Sequence, residues 1–486
     1  MHPDDWTNPT PKGRYNLVVI GAGTACLIAA AGAAGLGARV ALVERHMLGG
    51  DCLNFGCVPS KAMIRSGHAA AAVRDAGRFG VEVSGELPAV DFARVMERMR
   101  ALRADLSHHD SAERFSELGV DVYIGDARFT STDAVEVEDQ TLTFARAIIA
   151  TGARAVVPAI PGLSDVDFLT NKTVFSLTAL PARLGVLGAG PIGCELAQTF
   201  ARLGARVHLL EQAERVLPRE DPEASALVHG ALERDGVTVY VGHPLSEVRS
   251  DGDVKLLVSA GKGGTEEVAV DQLLLATGRR PNVEGLGLDA TGVTTHPRGI
   301  TLDDHLRTEN PRVFAAGDVA QPFHFTHAAD HSARIALRNA LFMGRERLSG
   351  LVVPWATFTD PEVAHVGLTV SEMDARGLRY RTYTQTMDTV DRALIDGETE
   401  GFARVHVAAN TDRILGATVV GKNAGSLISE VSAAIAGGLG LGQFTSIIHP
   451  YPTQADVFSK LANQVQRERL TPAVSKLMET WMSLTR

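Results

Sequence analysis

The strongest constraint on the fold is an internal duplication. At two places a strand-like apolar run meets a glycine-rich turn and then an apolar stretch with helical spacing. Tyr15-Asn16-Leu17-Val18-Val19-Ile20 runs into Gly21-Ala22-Gly23, and the run from Gly185 meets Gly188-Ala189-Gly190-Pro191-Ile192-Gly193. In both, a Gly-Ala-Arg-Val stretch starts 16 residues after the first glycine, at Gly37 and Gly204, and a glutamate lies 23 residues after it, at Glu44 and Glu211. A further echo joins Ala150-Thr151-Gly152 to Ala276-Thr277-Gly278. Repetition at fixed offsets marks a repeated supersecondary unit. Its pattern predicts a dinucleotide-binding βαβ. Gly21 and Gly188 make the tight turn, Gly23 and Gly190 admit a pyrophosphate, the helix N-terminus neutralises it, and the glutamate closing the next strand accepts ribose hydroxyls. Gly193 completes the second fingerprint, while in the first Cys26 takes the place of the third small residue and is small enough to pack there. The fold class is α/β with two Rossmann-like units, and two nucleotides are expected.

The remainder of the chain fits a large enzyme. With 486 residues, 45% hydrophobic and 21% charged, it can bury several cores and divides into three or four domains. A formal charge of −10 disfavours nucleic acid as a partner. Four cysteines, Cys26, Cys52, Cys57 and Cys194, do not describe a disulfide-stapled secreted protein and suit a reducing cytosol. No apolar run reaches transmembrane length and the first residues lack signal-peptide character, so a cytoplasmic location without membrane contact is expected. Met1 to Arg14 reads as a polar arm, Gly77 to Pro88 as a hinge, and Asp91 to Leu118 as a long amphipathic stretch. His108 and His109 are adjacent on that stretch and would point about 100° apart on a helix, which makes them surface residues rather than metal ligands.

Chemistry concentrates in Gly49-Gly50-Asp51-Cys52-Leu53-Asn54-Phe55-Gly56-Cys57-Val58-Pro59-Ser60-Lys61. If a helix begins at Cys52, the thiols lie about one turn apart and can close a small disulfide ring, and the helix dipole lowers a thiol pKa. Gly49, Gly50 and Gly56 let a planar group approach the backbone. The cysteine spacing alone favours a structural disulfide or two buried thiols over a redox pair. The full segment resembles the active-site signature of the FAD-dependent pyridine nucleotide-disulfide oxidoreductases, GG-x-C-x-N-x-G-C-x-P-[ST]-K, at every fixed position.

That resemblance extends from Tyr15 to about Lys460 and implies a set of roles. The first βαβ is the FAD site, with Gly21, Gly23, Glu44, Gly50, Lys61, Thr151, Gly152, Asp318 and Ala328 as cofactor residues. Phe314-Ala315-Ala316-Gly317-Asp318 is similar to the family's later FAD motif, and a helix from Ala328 points at the flavin ring. The second βαβ is the nicotinamide site, with Gly188, Gly190, Gly193, Glu195, Glu211 and Gly278. Glu211 favours NADH, while Arg215 and Arg219 just beyond leave NADPH open. Thr359-Asp360-Pro361-Glu362-Val363-Ala364 and Gly367 resemble the opening of a dimerisation domain, which implies a homodimer. The implied domains are residues 1–157 (FAD, first part), 158–279 (NAD(P)), 280–350 (FAD and central, second part) and 351–486 (α+β dimerisation), with the helix Ala473 to Leu484 unassigned. Cys57 is implied as the flavin-side thiol, Cys52 as the one that meets substrate, and Lys61 as the partner of Glu195, the alternative being a purely structural ion pair.

One segment departs from the disulfide-reductase pattern. His449-Pro450-Tyr451-Pro452-Thr453-Gln454-Ala455-Asp456 carries Tyr451 and Asp456 where those enzymes carry histidine and glutamate, with His449 two residues earlier. A phenol with a pKa near 10 is a poor proton relay at neutral pH, and mercuric reductases are similar in having tyrosine there. Those enzymes also carry a vicinal cysteine pair near the C-terminus, and no cysteine follows Cys194. Three readings result. The first is a mercuric-reductase-like enzyme passing electrons from NAD(P)H through flavin and Cys52–Cys57 to a metal ion such as Hg(II), or to a small electrophile, with the two thiols as transient ligands of the substrate metal and no structural metal site. The second is a dihydrolipoyl dehydrogenase or other small-disulfide reductase, and the third a metal-sequestering flavoprotein without turnover. Extended-strand alternation puts residues 449 and 451 on one side and keeps His449 available as a base.

Overall fold

A computed structural model describes residues 5–83, 85, 89–261 and 264–486. The expected arm from Met1 and hinge to Pro88 therefore lie partly outside the described residues. Two compact units form, one from the chain up to Gln212 together with His243–Leu351, the other from Ala213–Gly242 together with Val352–Arg486.

In the first unit, strand Tyr15–Ile20 sits between Val40–Glu44 and Gln140–Ile149, all parallel, with Val120–Ile124 beyond Val40–Glu44. Its residues are apolar on both faces because both faces are covered, the usual state of a parallel sheet. Leu17 and Val19 pack towards the helices Thr24–Gly35 and Thr326–Leu341, while Val18 and Ile20 pack towards the antiparallel strands Ala127–Ser131 and Ala134–Val137. Gly32 permits close approach of the two helices, since a Cβ there would lie 2.9 Å from Leu337 Cδ2. Val313–Ala315 joins the same sheet beside Ala147–Ile149, so the chain returns to its first sheet after the second nucleotide unit. That second unit repeats the arrangement: Arg183–Leu187 lies between Arg206–Glu211 and Gln272–Leu275, all parallel. The described part of the polar arm is docked on the first sheet. Asn8 bonds Ile124 through both its amide atoms (2.9 and 2.7 Å) and covers the edge of the strand.

Three sequence expectations shift by small amounts with clear causes. The dithiol segment is two helices, Gly50–Phe55 and Cys57–Arg74, because Gly56 adopts φ −141° and ψ −108°, outside the helical region. The helix expected from Ala328 begins at Thr326. Phe92–Ser107 is helical with Asp91 capping Arg94 N, but His108–Asp110 is a 3₁₀ turn with both histidines exposed.

The second unit holds an antiparallel sheet in the order Pro354–Thr357, Glu362–Gly367, Ile414–Gly421, Phe402–Ala408, Tyr380–Thr386. Helices Ala424–Gly437 and Asp456–Arg469 cover one face through Ile428, Val431, Val457, Phe458 and Leu461. Helix Pro472–Leu484 follows and buries none of its residues. No described helix is long and apolar enough to cross a membrane.

Candidate active site

The site is built on three helix N-termini of the first unit. Cys57 opens helix Cys57–Arg74, so its sulfur lies at the positive end of an 18-residue dipole, a better place for a thiolate than the middle of a helix from Cys52. Cys52 is half-buried and Cys57 exposed, and neither is disulfide-bonded. Cys57 Sγ lies 3.4 Å from Thr326 Oγ1 at the start of helix Thr326–Leu341. The Cys57 thiol is lowered to about 6, first by the hydrogen bond from Cys52, then by Thr326 and the Lys61 ammonium, while burial and Glu195 act the other way. Cys52 is pushed up, first by its bond to Cys57 and then by burial, so the pair holds one proton on Cys52 and a thiolate on Cys57.

Lys61 stands one turn after Cys57, and its Nζ lies 2.7 Å from Oε2 of the buried Glu195. Glu195 belongs to helix Pro191–Arg202 of the second glycine-rich unit. The pair therefore ties the dithiol helix to that unit, and the two helices lie in contact at Gly67, where a Cβ would sit 3.7 Å from Thr199 Cα.

The first glycine-rich unit offers a cradle that fits a dinucleotide. Gly21 has φ +106°, and a Cβ there would lie 2.7 Å from Ala150 O; one on Gly50, at φ +58°, would lie 2.5 Å from Gly23 Cα. Gly23 caps helix Thr24–Gly35 without any side-chain cap, so its first amides face outward. Beside them lies a cavity of about 590 Å³ lined by Gly21, Glu44, Thr151, Asn282 and Leu286, among others, at the carboxyl ends of the parallel strands where nucleotides bind. Glu44 Oε2 accepts from Ala22 N at 2.7 Å, and burial pushes its carboxyl up. Thr151 Oγ1 donates to Asn282 O at 2.6 Å, and Gly152 turns the chain at φ +68°. Asp318 is pushed up by burial, opposed by Arg279, whose Nε is 3.5 Å away. Gln321 is buried with both amide atoms unpartnered, a polar demand of the kind a bound group meets. Ala328, on the same helix as Thr326, is buried.

The second glycine-rich unit repeats these contacts. Glu211 Oε2 accepts from Ala189 N at 2.7 Å, matching Glu44 and Ala22. Gly190 caps helix Pro191–Arg202, Gly278 has φ +113°, and a Cβ on Gly193 would lie 1.8 Å from Gly188 O, so the third glycine is obligatory here where Cys26 suffices in the first unit. Cys26 is buried and pushed up by burial, which makes it inert. The segments after the two Ala-Thr-Gly echoes pair with one another, Ala153–Ala155 against Arg279–Pro281.

These observations fit the sequence matches. Residues 15–333 match the family described as pyridine nucleotide-disulphide oxidoreductase, and residues 353–462 match its dimerisation domain. The chain belongs to this family. It is 36% identical over 443 residues to a mercuric reductase of Bacillus cereus, covering 91% of this chain and 70% of the relative. To a mercuric reductase of Streptomyces lividans it is 37% identical over 470 residues, covering 95% and 98%. To a dihydrolipoyl dehydrogenase of Chlamydia muridarum it is 32% identical over 459 residues, covering 92% and 96%. Among solved structures, the Cu(II) complex of an HOCl-induced flavoprotein disulfide reductase from Escherichia coli superimposes with a TM-score of 0.81 at 27% identity, covering 92% of this chain and 99% of that one. The protein is thus a flavin-dependent disulfide oxidoreductase, of a family whose members use FAD and NAD(P)H.

In the second unit, the departing segment separates its two candidate bases. His449 bonds through both ring nitrogens, Nε2 to Glu430 Oε1 and Nδ1 to Ser459 Oγ, each at 2.8 Å, and its side chain is 7% exposed. Tyr451 is 76% exposed, with its hydroxyl donating to Asp391 Oδ2 at 2.9 Å. The expected alternation on one side therefore does not hold: His449 turns between the helices Ala424–Gly437 and Asp456–Arg469, while Tyr451 turns outward. Asp391 pushes the phenol up, away from a proton relay. Asp456 opens helix Asp456–Arg469, 3.4 Å from Lys460. Sequence reasoning missed Thr326, Arg279 and Asp391. Arg279 reaches both Asp51, next to Cys52, and Asp318.

Proposed function

We propose that this protein oxidises NADH and delivers the electrons, through FAD and the Cys52–Cys57 pair, to a soft metal ion such as Hg(II). The observation that carries the choice of acceptor is the contrast between His449 and Tyr451. Dithiol–disulfide exchange needs a base with a usable lone pair near the thiols, and His449 spends both ring nitrogens on Glu430 and Ser459. Tyr451 presents an exposed neutral phenol, which can ligate or hydrogen-bond a metal thiolate without moving a proton.

FAD would be held by Gly21, Gly23, Gly50, Glu44, Thr151, Gly152, Lys61, Asp318 and Ala328, and NADH by Gly188, Gly190, Gly193, Glu195, Glu211 and Gly278. Bound, they supply two-electron transfer from nicotinamide to the disulfide. Cys52 and Cys57 take up the two electrons as the S–S bond opens, and Cys57 stays a thiolate stabilised by Cys52, Thr326 and Lys61. A soft dication replaces the remaining thiol proton and is held by both sulfurs. Both metal–sulfur bonds break as the Cys52–Cys57 S–S bond re-forms and its two electrons pass to the metal, so the balance closes as NADH and Hg(II) giving NAD⁺, H⁺ and Hg(0). Lys61 and Glu195 hold the dithiol helix against the nicotinamide unit. We further propose a homodimer in which Tyr451 and Asp456 of one subunit face Cys52 of the other, supported by the dimerisation-domain match, and a cytoplasmic location.

Tyr451→Phe, Tyr451→His and His449→Ala test the acceptor assignment. Tyr451→Phe is expected to slow Hg(II) reduction, and Tyr451→His to raise a weak lipoamide activity within the range of about 10²–10⁴-fold that a proton-transfer group contributes. Efficient lipoamide turnover by the wild type that His449→Ala abolishes would replace this reading with a dihydrolipoyl dehydrogenase.

A further inference from the structure

We infer that helix Pro472–Leu484 docks on a second copy of this chain and enlarges the homodimer interface, an inference that rests on the homodimer proposed above. The helix has its own start signals, Thr471 accepting from Val474 N and a proline in the first turn. It nevertheless buries none of its residues. At 100° per residue, Val474, Leu477, Met478, Trp481, Met482 and Leu484 fall on one half of its circumference, while Ser475, Lys476, Glu479, Thr480 and Ser483 fill the other. Leu477 is 70% and Trp481 64% exposed, and Leu470, just before the helix, is also exposed. A helix of 13 residues is marginal in water by itself. A segment this apolar on one half is stabilised by a surface that covers that half.

Charge and area select the occupant. The polar half carries Lys476 and Glu479, which cancel, so it lacks the basic face that holds a helix on an anionic membrane. Covering the apolar half removes on the order of 500 Å² from water, taking about 200 Å² for the tryptophan and less for each aliphatic side chain. That is below the roughly 800 Å² per partner of a stable stand-alone interface, so the helix is suited to extend an existing one. The dimerisation-domain match ends at residue 462, inside helix Asp456–Arg469, and only Leu470 and Thr471 separate that helix from Pro472–Leu484. The apolar half therefore follows closely in sequence on the matched dimerisation domain.

The test compares the FAD-loaded wild type with Trp481→Glu, Leu477→Glu, a chain ending at Arg469, and Ser483→Glu on the polar half, by analytical ultracentrifugation over a dilution series. The two apolar-half variants and the shortened chain are expected to raise the dimer Kd at least tenfold, the behaviour of a central tryptophan anchor, and Ser483→Glu to leave it unchanged. In the wild type, tryptophan emission is expected to shift to longer wavelength on dilution, in step with dissociation. A wild-type dimer whose Kd is unchanged in Trp481→Glu and Leu477→Glu would overturn the inference while leaving the homodimer intact. Wild-type monomer at every concentration would refute the homodimer itself. Two further results would also overturn the inference: wild-type tetramers that Trp481→Glu reduces to dimers, or binding of the wild type to phosphatidylglycerol vesicles that Trp481→Glu abolishes.

Discussion

Removing the hydrogen bond from Cys52 to Cys57 should deprive the Cys57 thiolate of its largest stabilising contact. The Cys57 thiol stands at about 6 against an ordinary 9.0, a displacement to which Cys52, Thr326 and Lys61 contribute in that order. The contact with Cys52 is the largest of the lowering contributions, so Cys52→Ala moves the Cys57 pKa up from about 6 towards its ordinary value. Cys52→Ser keeps an O–H donor in the same place and should stay near 6. At pH 7 the thiolate fraction then falls in Cys52→Ala, and alkylation slows in proportion, since only the thiolate attacks. Cys26 and Cys194 are buried, so iodoacetamide reads Cys57 alone in either variant. The sign also matters for stability. A depressed thiol stabilises the reduced protein above its unfolded pKa, and this contribution is lost as pH falls through about 6. Rate–pH curves with the same inflection in Cys52→Ala and Cys52→Ser would refute the reasoning, as would an inflection near 9 in both.

Other outcomes follow from the cofactor cradles. Gly50→Val places a branched side chain at φ +58° against Gly23 Cα and should release FAD, read as flavin absorbance per chain after gel filtration. Gly35→Ala, whose Cβ meets nothing within 4 Å, should leave the flavin content unchanged. Glu211 is expected to give NADH a higher kcat/KM than NADPH by excluding a 2′-phosphate, and Glu211→Ala should narrow that ratio by about tenfold or more. Arg215 donates to Pro218 O at 2.8 Å. A wild type that prefers NADPH would contradict the role given to Glu211.

Much of this architecture could be read from sequence because local sterics dictate it. Tyr15–Ile20 ends where Gly21 takes a positive φ that a Cβ would block, so the strand, turn and helix are fixed by a few adjacent residues. The helix break at Gly56 was not legible, because a single glycine within a helical spacing does not say which way its backbone turns. The partners of the site residues were hidden for a different reason. Thr326 meets Cys57 across 269 positions and Arg279 meets Asp51 across 228, and no local pattern marks such contacts. His449 and Tyr451 looked interchangeable on a strand-like segment, and the difference between them comes from Glu430, Ser459 and Asp391, which the fold supplies.

The most direct test of the central claim is anaerobic NADH oxidation by the wild type with Hg(II), Cu(II), lipoamide or glutathione disulfide as the sole acceptor, run beside Cys52→Ser and Cys57→Ser. Stoichiometric NADH oxidation is expected with Hg(II), with weak turnover of both disulfides, and no metal reduction by either cysteine variant although both retain FAD. Fast turnover of lipoamide with none of Hg(II), or full Hg(II) reduction by Cys57→Ser, would contradict that claim.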